Sequence, residues 1–574
     1  MSSRKKKKTN RTISGRRAHS KPKRPASRII RWSGWRLGGL LSVVLVSLVL
    51  NSVGLEWGRS GLVPWQADSI EGITTVREMP RLFGQWKYKY PRGQFLVNAI
   101  FYRPLLQHWQ KNPVMVTTAD GRDVPRSMNL QRLDLLAKIS RMISVVMGTG
   151  AVVAVFFTAM YLFRDYPAAL LAALALALSQ LFVFYSHVGN VDMPCVFWFV
   201  WGIYWAAKAI YVGKMRHYVL MGLFFSLSIC TKDAILGYLA GMVPAFWLAM
   251  TGKARGDGRS LKTAVLSVFS RKVAAAVVTF LFVYALLQGI FTSPGAFSER
   301  MSVWIGGRGV VDYNKGFTGQ LPLLWQACQM LYGSLGWALL AAIVLSLVSC
   351  GIRHPWKSAF LIVPFLAFYV IVVMNIKMVH PRYFLPAYAG FAILVGKGCA
   401  DLLRYRKVHP AWRIPAVLLV YVLSFVYCVG LDLEMLNDSR RQTERWFSDN
   451  VDRKAVVAVV IRNICYAPRL YAQGFHFFVC PWKVPADNSD FSRLPSYPEY
   501  IIITEPRLTP NETPTRDFRQ ALLSGQVNYD EAARFWSRHF YPPKHTALSI
   551  AGWPLDRRQW LYWMSPEIIV FKKK

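Results

Sequence analysis

Two carboxylates three residues apart stand out in a chain that contains few acids. Asp68 and Glu71 lie in the polar stretch 65–72, which directly follows the first membrane-length apolar run. The chain has 30 Asp and Glu residues against 70 Lys and Arg residues, so paired acids in such a place are uncommon. A carboxylate within hydrogen-bond reach of a hydroxyl or amine is the usual general base for its nucleophilic attack. Asp68 and Glu71 are therefore candidate catalytic groups, with a solvated acidic loop as the structural alternative.

Three side chains at the ends of later apolar segments are suited to holding an anion. Lys232 lies between two apolar segments with almost no connector, and His380 and Arg382 flank a proline that fixes a turn. Ionisable groups at membrane depth are costly, so they are candidates for function. Lysine and arginine stabilise a phosphate leaving group as its charge develops. We expect these residues to contact a phosphate; cations that snorkel to a lipid interface are the alternative.

A third polar stretch, 185–194, combines aromatic, imidazole and carboxylate groups. Tyr185, His187 and Asp192 are its candidate substrate contacts. Asp192 is expected to open a helix, because Pro194 fits the first helical turn, so a capping role is an equal alternative. For His187 the alternative is a hydrogen bond that serves the fold.

No motif is typical of a resident metal or nucleotide. The eight cysteines lack metal-ligand spacing, and no Walker, dinucleotide or zinc pattern occurs. We expect no metal ligands, because a lysine–arginine clamp on phosphate removes the need for a cation. A divalent metal between Asp68, Glu71 and Asp192 remains the open alternative.

Composition places these residues in a helical polytopic membrane protein. Hydrophobic residues make up 53% of the 574 residues and charged residues 17%, as in chains with many membrane spans. The net charge of +40 is concentrated in the first residues and in short connectors, so we expect membrane lipid and no nucleic acid as a partner. About eleven stretches are apolar enough to span a membrane, at 37–53, 142–163, 167–186, 195–212, 218–230, 234–250, 273–292, 325–350, 359–374, 384–400 and 414–431.

The pattern divides the chain into three parts. Residues 1–36 are predicted to be a basic, disordered cytoplasmic tail, and residues 37–431 a membrane domain with a large first external loop at 54–138. In 432–574, an amphipathic helix precedes β-branched runs at 455–461 and 500–504, which predicts a small extracytoplasmic α/β domain. With the N-terminus inside, the basic connectors are cytoplasmic and the candidate site residues lie on the outer side, as the positive-inside rule requires.

Five features in order along the chain resemble the GT-C integral-membrane glycosyltransferases. They are the acidic loop at Asp68, a tyrosine–proline stretch at 88–91, Asp-Met-Pro at 192–194, Thr-Lys at 231–232 and Arg-Tyr-Phe-Leu-Pro at 382–386. The branch they resemble is that of protein O-mannosyltransferases and bacterial lipid A aminoarabinose transferases, over roughly residues 37–431.

This resemblance implies an activity and a set of roles. Such enzymes move a sugar from a polyprenyl-phosphate donor to a lipid, glycan or protein acceptor at the outer face of a membrane. The resemblance implies that Asp68 is the catalytic acid of the first loop and that Lys232 and Arg382 contact the donor phosphate. Lys89 or Arg92 would be a further phosphate contact. The first loop has Asp-Ser-Ile-Glu where many relatives have adjacent Asp-Glu, so the division of work between Asp68 and Glu71 stays open.

The sequence hypothesis is an inverting glycosyl transfer, with two rivals. A transporter or flippase of lipid-linked sugars would have charges at mid-helix depth and discontinuous helices in related halves. A catalytically inactive relative would serve as an assembly subunit. Charges at the ends of helices, and a sequence without an evident internal repeat, favour the transferase.

Overall fold

The structure is a computed structural model. It describes residues 33–574 except 67, 87, 118–122, 259, 261, 263–265, 267–268, 306–318, 377–378, 461–463, 481–497, 506–521, 526, 537–547, 551–552, 556–563 and 565. The predicted tail at 1–36 lies almost entirely outside the described residues.

Sixteen helices are labelled here in chain order. They are α1 (Gly34–Ser52), α2 (Ile73–Glu78), α3 (Gly93–Lys111), α4 (Leu130–Phe163), α5 (Tyr166–Ala177), α6 (Gln180–Ser186), α7 (Asp192–Tyr211), α8 (Met215–Ile229), α9 (Leu236–Gly256), α10 (Arg271–Gln288), α11 (Pro294–Ile305), α12 (Gln320–Arg353), α13 (Pro355–Phe368), α14 (Leu385–Arg404), α15 (Pro410–Leu436) and α16 (Ser439–Asn450). Short 3₁₀ turns, Asp233–Ile235 and Pro381–Phe384, lead into α9 and α14, and a π turn, Tyr369–Val373, follows α13.

Nine of the described helical stretches are long and apolar enough to cross a membrane, or ten if the pair α5–α6 is one span bent by 62°. The shorter apolar helix α8 has 15 residues. Each of the eleven predicted apolar stretches lies in a helix, which confirms the helical fold class. The number of unaided spans is smaller than eleven because α5–α6 is broken and α8 is short. The chain is a multi-pass membrane protein.

The buried fraction of the apolar helices distinguishes a central helix, α14, from a peripheral one, α10. In the stretch Pro381–Arg404, 89% of the apolar window is buried, against 11% in α10. Gly396 lets α14 approach α5 closely, since a Cβ there would lie 2.3 Å from the backbone nitrogen of Ala172. The exposed apolar side chains of α10 suit a lipid-facing position, where the helix satisfies its own backbone hydrogen bonds.

The connection from α1 to α4 is folded. It carries α2, α3 and an antiparallel hairpin of β1 (Val114–Thr117) and β2 (Asp123–Arg126). Helix α4 begins at Leu130, where the side chain of Asn129 accepts a hydrogen bond from the Arg132 N–H at 2.9 Å. Helix α4 thus begins within the predicted loop 54–138, because its first turns are polar and its apolar pattern starts later.

The C-terminal region is a small α/β unit built on a five-stranded sheet of order β4-β3-β5-β9-β6. Its strands are β3 (Val456–Val460), β4 (His476–Cys480), β5 (Tyr500–Glu505), β6 (Tyr529–Phe535) and β9 (Glu567–Lys573), with a separate pair β7 (Leu548–Ile550) and β8 (Trp553–Leu555). Strand β3 pairs in parallel with β4 and β5, and β9 pairs antiparallel with β5 and β6. The predicted amphipathic helix corresponds to α16, and the two β-branched runs to β3 and β5. The prediction of a small α/β domain is confirmed.

A buried ion pair fastens this unit to the first loop. Asp438 and Arg440 are both fully buried, and Arg440 Nη2 donates to Asp438 Oδ2 at 2.7 Å. The indole N–H of Trp57 donates to the same carboxylate oxygen at 2.9 Å. The Arg440 guanidinium lies 4.0 Å from the ring centroid of Trp65. The C-terminal unit thus lies on the same side of the bundle as the loop that carries Asp68.

We predict that Asp438→Asn destabilises the folded protein by about 3–5 kcal/mol, because the buried Arg440 guanidinium then loses the negative charge of the carboxylate that it contacts. Thermal unfolding of the purified protein in detergent measures the change. The matched control is Glu531→Gln, which removes one partner of the partly exposed Arg534 pair and is expected to cost about 0–1 kcal/mol. Equal shifts in the two variants would contradict the assignment.

Candidate active site

The first loop is held in place by a second buried ion pair. Arg141 of α4 donates from Nε to Glu71 Oε2 and from Nη2 to Glu71 Oε1, both at 2.8 Å. Both side chains are 0% exposed. Arg141 Nη1 also donates to the carbonyl oxygen of Leu55 at 2.9 Å. One guanidinium thus ties the loop to α4 at two places.

Glu71, the second candidate catalytic carboxylate, is removed from solvent by this ion pair, and its share in catalysis stays a prediction. Its carboxylate is fully buried and engaged by Arg141, and it also accepts the Gly189 N–H at 3.2 Å. Glycine fits at 189 because a Cβ would lie 2.5 Å from Glu71 Oε2. Ile70 N–H donates to the Gly189 carbonyl at 2.9 Å, so the two polar stretches are docked backbone to backbone.

Asp68 lies at the centre of a charged cluster. Lys89 Nζ donates to its Oδ1 at 2.7 Å, and Arg382 Nη1 donates to its Oδ2. The Asp68 side chain is 25% exposed, Arg382 13% and Lys89 52%, so Lys89 lies on the solvent side of the carboxylate and Arg382 on its buried side. The structure thus brings together residues that are more than 300 positions apart.

A second carboxylate continues the cluster inward. Asp192 is the first residue of α7 and is almost fully buried; Lys232 Nζ donates to its Oδ1. Asn190 Nδ2 donates to Asp192 Oδ2 at 2.8 Å, and Arg382 Nη1 lies 4.0 Å from the same oxygen. Among the described residues, the ion pairs of Lys89, Arg382 and Lys232 are with Asp68 and Asp192. These three cations outnumber the two carboxylates they contact, so this group can accept an anion.

The cluster alters the protonation of nearby groups. Burial alone would raise the pKa of Asp68, but Arg382 and Lys89 outweigh it and hold that pKa well below its usual range. Burial and the neighbouring Asp68 raise the pKa of Tyr88 to about 12. Burial, together with Arg382 and Lys232, lowers the pKa of His380 well below its ordinary value. The His380 ring is therefore neutral at physiological pH and brings no charge to an anion.

A small, mostly apolar pocket opens beside the inner half of the cluster. Asp192, Lys232 and Arg382 line one part of it. The remainder is apolar or aromatic, formed by side chains that include Val196, Ile235, Tyr238, Phe368 and Pro386. Cations and an apolar surface therefore lie side by side, which suits an amphiphile with an anionic head group.

Arg92 belongs to a neighbouring group rather than to the Asp68 cluster. It is buried, and its Nη2 donates to the Gly84 carbonyl at 2.8 Å. Burial and the charge of Arg300 lower the pKa of Arg92. Arg300 itself donates to Asp233 and, at 2.5 Å, to Gln288 Oε1. Lys232 belongs to the Asp68 cluster and Asp233 to the group of Arg92 and Arg300. Because the two residues are consecutive, the two groups are neighbours.

Tyr185 and His187, the other predicted substrate contacts, are both fully buried. The Tyr185 hydroxyl has no hydrogen-bond partner within the described part of the chain, and its role as a substrate contact stays a prediction. The His187 ring contacts the carbonyl oxygens of Val183, at 2.7 Å, and Val53. His187 thus joins the end of α6 to the end of α1, which is the structural alternative stated for it.

Within the described residues, no group of three or more His, Cys, Asp or Glu side chains is close enough to hold a metal ion. The open alternative of a cation between Asp68, Glu71 and Asp192 required three converging carboxylates. Glu71 is instead engaged by Arg141, so the three do not converge.

Sequence reasoning missed Arg141 and Arg300. Arg141 had a usable signal, since a lone arginine at the edge of a long apolar helix needs a buried partner. Its partner Glu71 is 70 residues away, a pairing that no local pattern reveals. Arg300 lies in the connection after α10, which carried no motif.

The fold and the cluster define a membrane protein that can hold an anionic amphiphile beside a carboxylate. Residues 137–270 match the family model described as dolichyl-phosphate-mannose-protein mannosyltransferase. The match spans about a quarter of the chain. Over these residues it confirms the resemblance to the protein O-mannosyltransferase branch of the GT-C glycosyltransferases. No curated protein sequence matches the chain.

Three solved structures are similar in fold at low identity. ArnT from Cupriavidus metallidurans in the apo state is 11% identical, over 93% of this chain and 98% of that chain, with a TM-score of 0.43. The same protein bound to undecaprenyl phosphate is 12% identical over 94% and 98%, with a TM-score of 0.42. The Archaeoglobus fulgidus oligosaccharyltransferase in complex with Zn and sulfate is 13% identical over 81% and 68%, with a TM-score of 0.42. At these values the likeness carries no argument about the site.

We predict that Glu71→Gln destabilises the fold by about 3–5 kcal/mol, because it leaves the buried Arg141 charge uncompensated. Glu56→Gln, in the same loop, is the control: its partners Arg59 and Lys138 are partly exposed, and the expected cost is about 0–1 kcal/mol. Thermal unfolding in detergent measures both. A Glu71→Gln protein as stable as the control would show that the pair does not anchor the loop.

Proposed function

We propose that this protein is a glycosyltransferase that moves a sugar from a polyprenyl-phosphate donor to an acceptor at the outer face of a membrane, with inversion. The observation that carries the proposal is the contact of Asp68 with Lys89 and Arg382, directly beside Asp192 and Lys232. A candidate base and three candidate phosphate contacts meet there at the edge of an apolar pocket. The family match over residues 137–270 supports the same class of reaction.

The donor would bind with its phosphate among the cations and its first isoprene units in the pocket. Lys232 and Arg382 line both features, so one ligand can satisfy both. Burying apolar surface at about 25 cal/mol per Å² favours the lipid end. Charge-assisted hydrogen bonds from lysine and arginine favour the phosphate. Lys89 would approach from the solvent side, and His380 would add at most a neutral hydrogen bond. Arg92 would act from the neighbouring group.

The transfer itself would be a single displacement. The acceptor hydroxyl or amine attacks the anomeric carbon, its proton passes to Asp68, and the bond from that carbon to the phosphate oxygen breaks. The bonding electrons leave with the phosphate, which gains one negative charge. Lys232, Arg382 and Lys89 stabilise that charge as it develops, which is the part of such reactions where preorganised donors contribute most. One displacement at the carbon inverts its configuration.

Asp68 is a poor base while it is paired with two cations. In the absence of donor, Arg382 and Lys89 hold its pKa low, and its proton affinity is correspondingly weak. A donor phosphate would compete for the same cations and loosen their hold on the carboxylate. The pKa of Asp68 would then rise toward its ordinary value. Donor binding would in this way activate the base.

We propose an orientation with the N-terminus in the cytoplasm and the C-terminal α/β unit outside. The basic connectors on the opposite side from Asp68 support it by the positive-inside rule. The contact of Arg440 with Trp57 and Trp65 keeps the C-terminal unit on the side of Asp68. The acceptor would be a lipid, glycan or protein on that side.

Asp68→Asn is expected to reduce the rate of transfer by about 10²–10⁴-fold, which is the usual contribution of a positioned base, without unfolding the protein. The measurement is transfer of radiolabelled sugar from polyprenyl phosphate by the full chain in proteoliposomes made with a membrane lipid extract as the source of acceptor. Asp449→Asn, at an exposed position of α16, is the matched control and is expected to retain wild-type turnover.

Turnover of Asp68→Asn at the wild-type rate would overturn the assignment of the base. The same vesicles separate the rival activities. Sugar-lipid that crosses the bilayer without transfer would indicate a transporter, and neither transfer nor crossing would indicate an inactive assembly subunit.

The acid limb of the pH profile is expected to differ between kcat and kcat/KM. Transfer needs ionised Asp68, so the rate falls as pH falls through the pKa of this group. In the free protein Arg382 and Lys89 hold that pKa below the usual value of about 3.9, and in the donor complex it rises. The acid limb of kcat, measured in single turnovers, should therefore lie at higher pH than that of kcat/KM. Coincident limbs would contradict the competition between phosphate and Asp68.

A further inference from the structure

A second, polar pocket lies between the first loop and the C-terminal unit. Its volume is about 300 Å³. Four arginines line it: Arg59 of the first loop, Arg441 and Arg445 of α16, and Arg469 of the C-terminal unit. The two domains therefore contribute cations to one cavity.

The acids of this pocket are already engaged. Glu444 accepts from the backbone N–H of Arg469 at 2.7 Å, and Glu56 pairs with Arg59 at 2.5 Å. Asp134 Oδ1 accepts the Gly61 N–H at 2.6 Å. These three carboxylates hold the arginines and the loop in place. Four guanidinium groups against three carboxylates leave an excess of positive charge.

The excess positive charge is concentrated on α16, which carries two of the four arginines. Arg441 and Arg445 are four residues apart and so lie on the same face of the helix, where like charges repel. Arg445 is exposed, and Arg441 Nη2 donates to the backbone carbonyl of Glu56. An anion in the pocket would relieve this repulsion and could be held by guanidinium forks from two sides.

The pocket connects to Asp68 through one aromatic residue. Arg469 lies 4.8 Å from the ring centroid of Trp65, and its Nη1 donates to the carbonyl oxygen of Arg59. Trp65 is three residues before Asp68 in the same loop. A molecule anchored in the pocket would thus lie against the loop that carries the candidate base.

We propose that this pocket binds an anionic group, a phosphate or a carboxylate, on the acceptor molecule. The inference rests on the proposed transferase function and specifies its acceptor as an acidic one. The polyprenyl-phosphate donor and the acceptor would then approach Asp68 from different sides, the donor from the apolar pocket and the acceptor from the arginine-lined pocket.

The test measures binding of radiolabelled inorganic phosphate to the purified full chain in detergent, at constant ionic strength. Wild type is compared with the double variant Arg441→Gln and Arg445→Gln, with Arg382→Gln, and with Arg453→Gln as the control at an exposed arginine of the same domain. Each is measured with and without saturating polyprenyl phosphate. Acetate competition shows whether a carboxylate fits as well as a phosphate.

We expect phosphate binding that persists at saturating polyprenyl phosphate and weakens at least about tenfold in the double variant, a loss of about 1.4 kcal/mol. Arg453→Gln should bind as wild type, and Arg382→Gln should lose only the sites that polyprenyl phosphate blocks. Binding that the double variant leaves unchanged, or that polyprenyl phosphate abolishes, would overturn the pocket. If polyprenyl phosphate did not bind at all, the proposed transferase would be contradicted instead. The two results are distinct, because polyprenyl phosphate reports on the site at Arg382 and the double variant reports on the arginine-lined pocket.

Discussion

The structure depends on how charge is balanced around Asp68. Arg382 is nearly enclosed by protein, and a guanidinium in such surroundings needs carboxylates near it. Asp68 meets it from the first loop and Asp192 from the start of α7. Lys89 and Lys232 add one cation at each end. Within the described residues, these five side chains form a row of alternating charges with one cation in excess.

The same principle holds the parts that surround the cluster. Glu71 and Arg141 anchor the loop on the near side, and Asp438 and Arg440 anchor the C-terminal unit above it. Both pairs are fully buried and have additional hydrogen bonds, which is the condition under which such pairs tolerate desolvation. These anchors bring Asp68 into contact with Arg382, although the two residues come from opposite ends of the membrane domain. Under the proposed function, a donor phosphate would change the pKa of Asp68 by competing for Arg382 and Lys89.

Part of this arrangement can be predicted from the sequence. Charged residues at the ends of apolar segments are energetically costly, so they indicate positions with a function. The cost of such charges pointed to Lys232 and Arg382, and the apolar pattern predicted the long apolar helices but not α2, α3 or α11. Partners that are distant in the chain could not be predicted. Glu71 resembles Asp68 in type and surroundings, and only the position of Arg141 distinguishes the environments of the two acids. The apolar pattern also says nothing of how far α4 extends beyond its apolar part. The order of the five strands in the C-terminal sheet likewise depends on contacts between distant residues.

The central claim is that a lipid phosphate and the Asp68 carboxylate compete for the same cations. The most direct test is the affinity of polyprenyl monophosphate for the wild-type protein and for Asp68→Asn, by equilibrium binding in detergent with no acceptor present. Removing the competing negative charge while keeping the shape of the side chain should make the phosphate bind more tightly. Affinity that is unchanged or weaker would show that the phosphate does not take its place among Lys89 and Arg382.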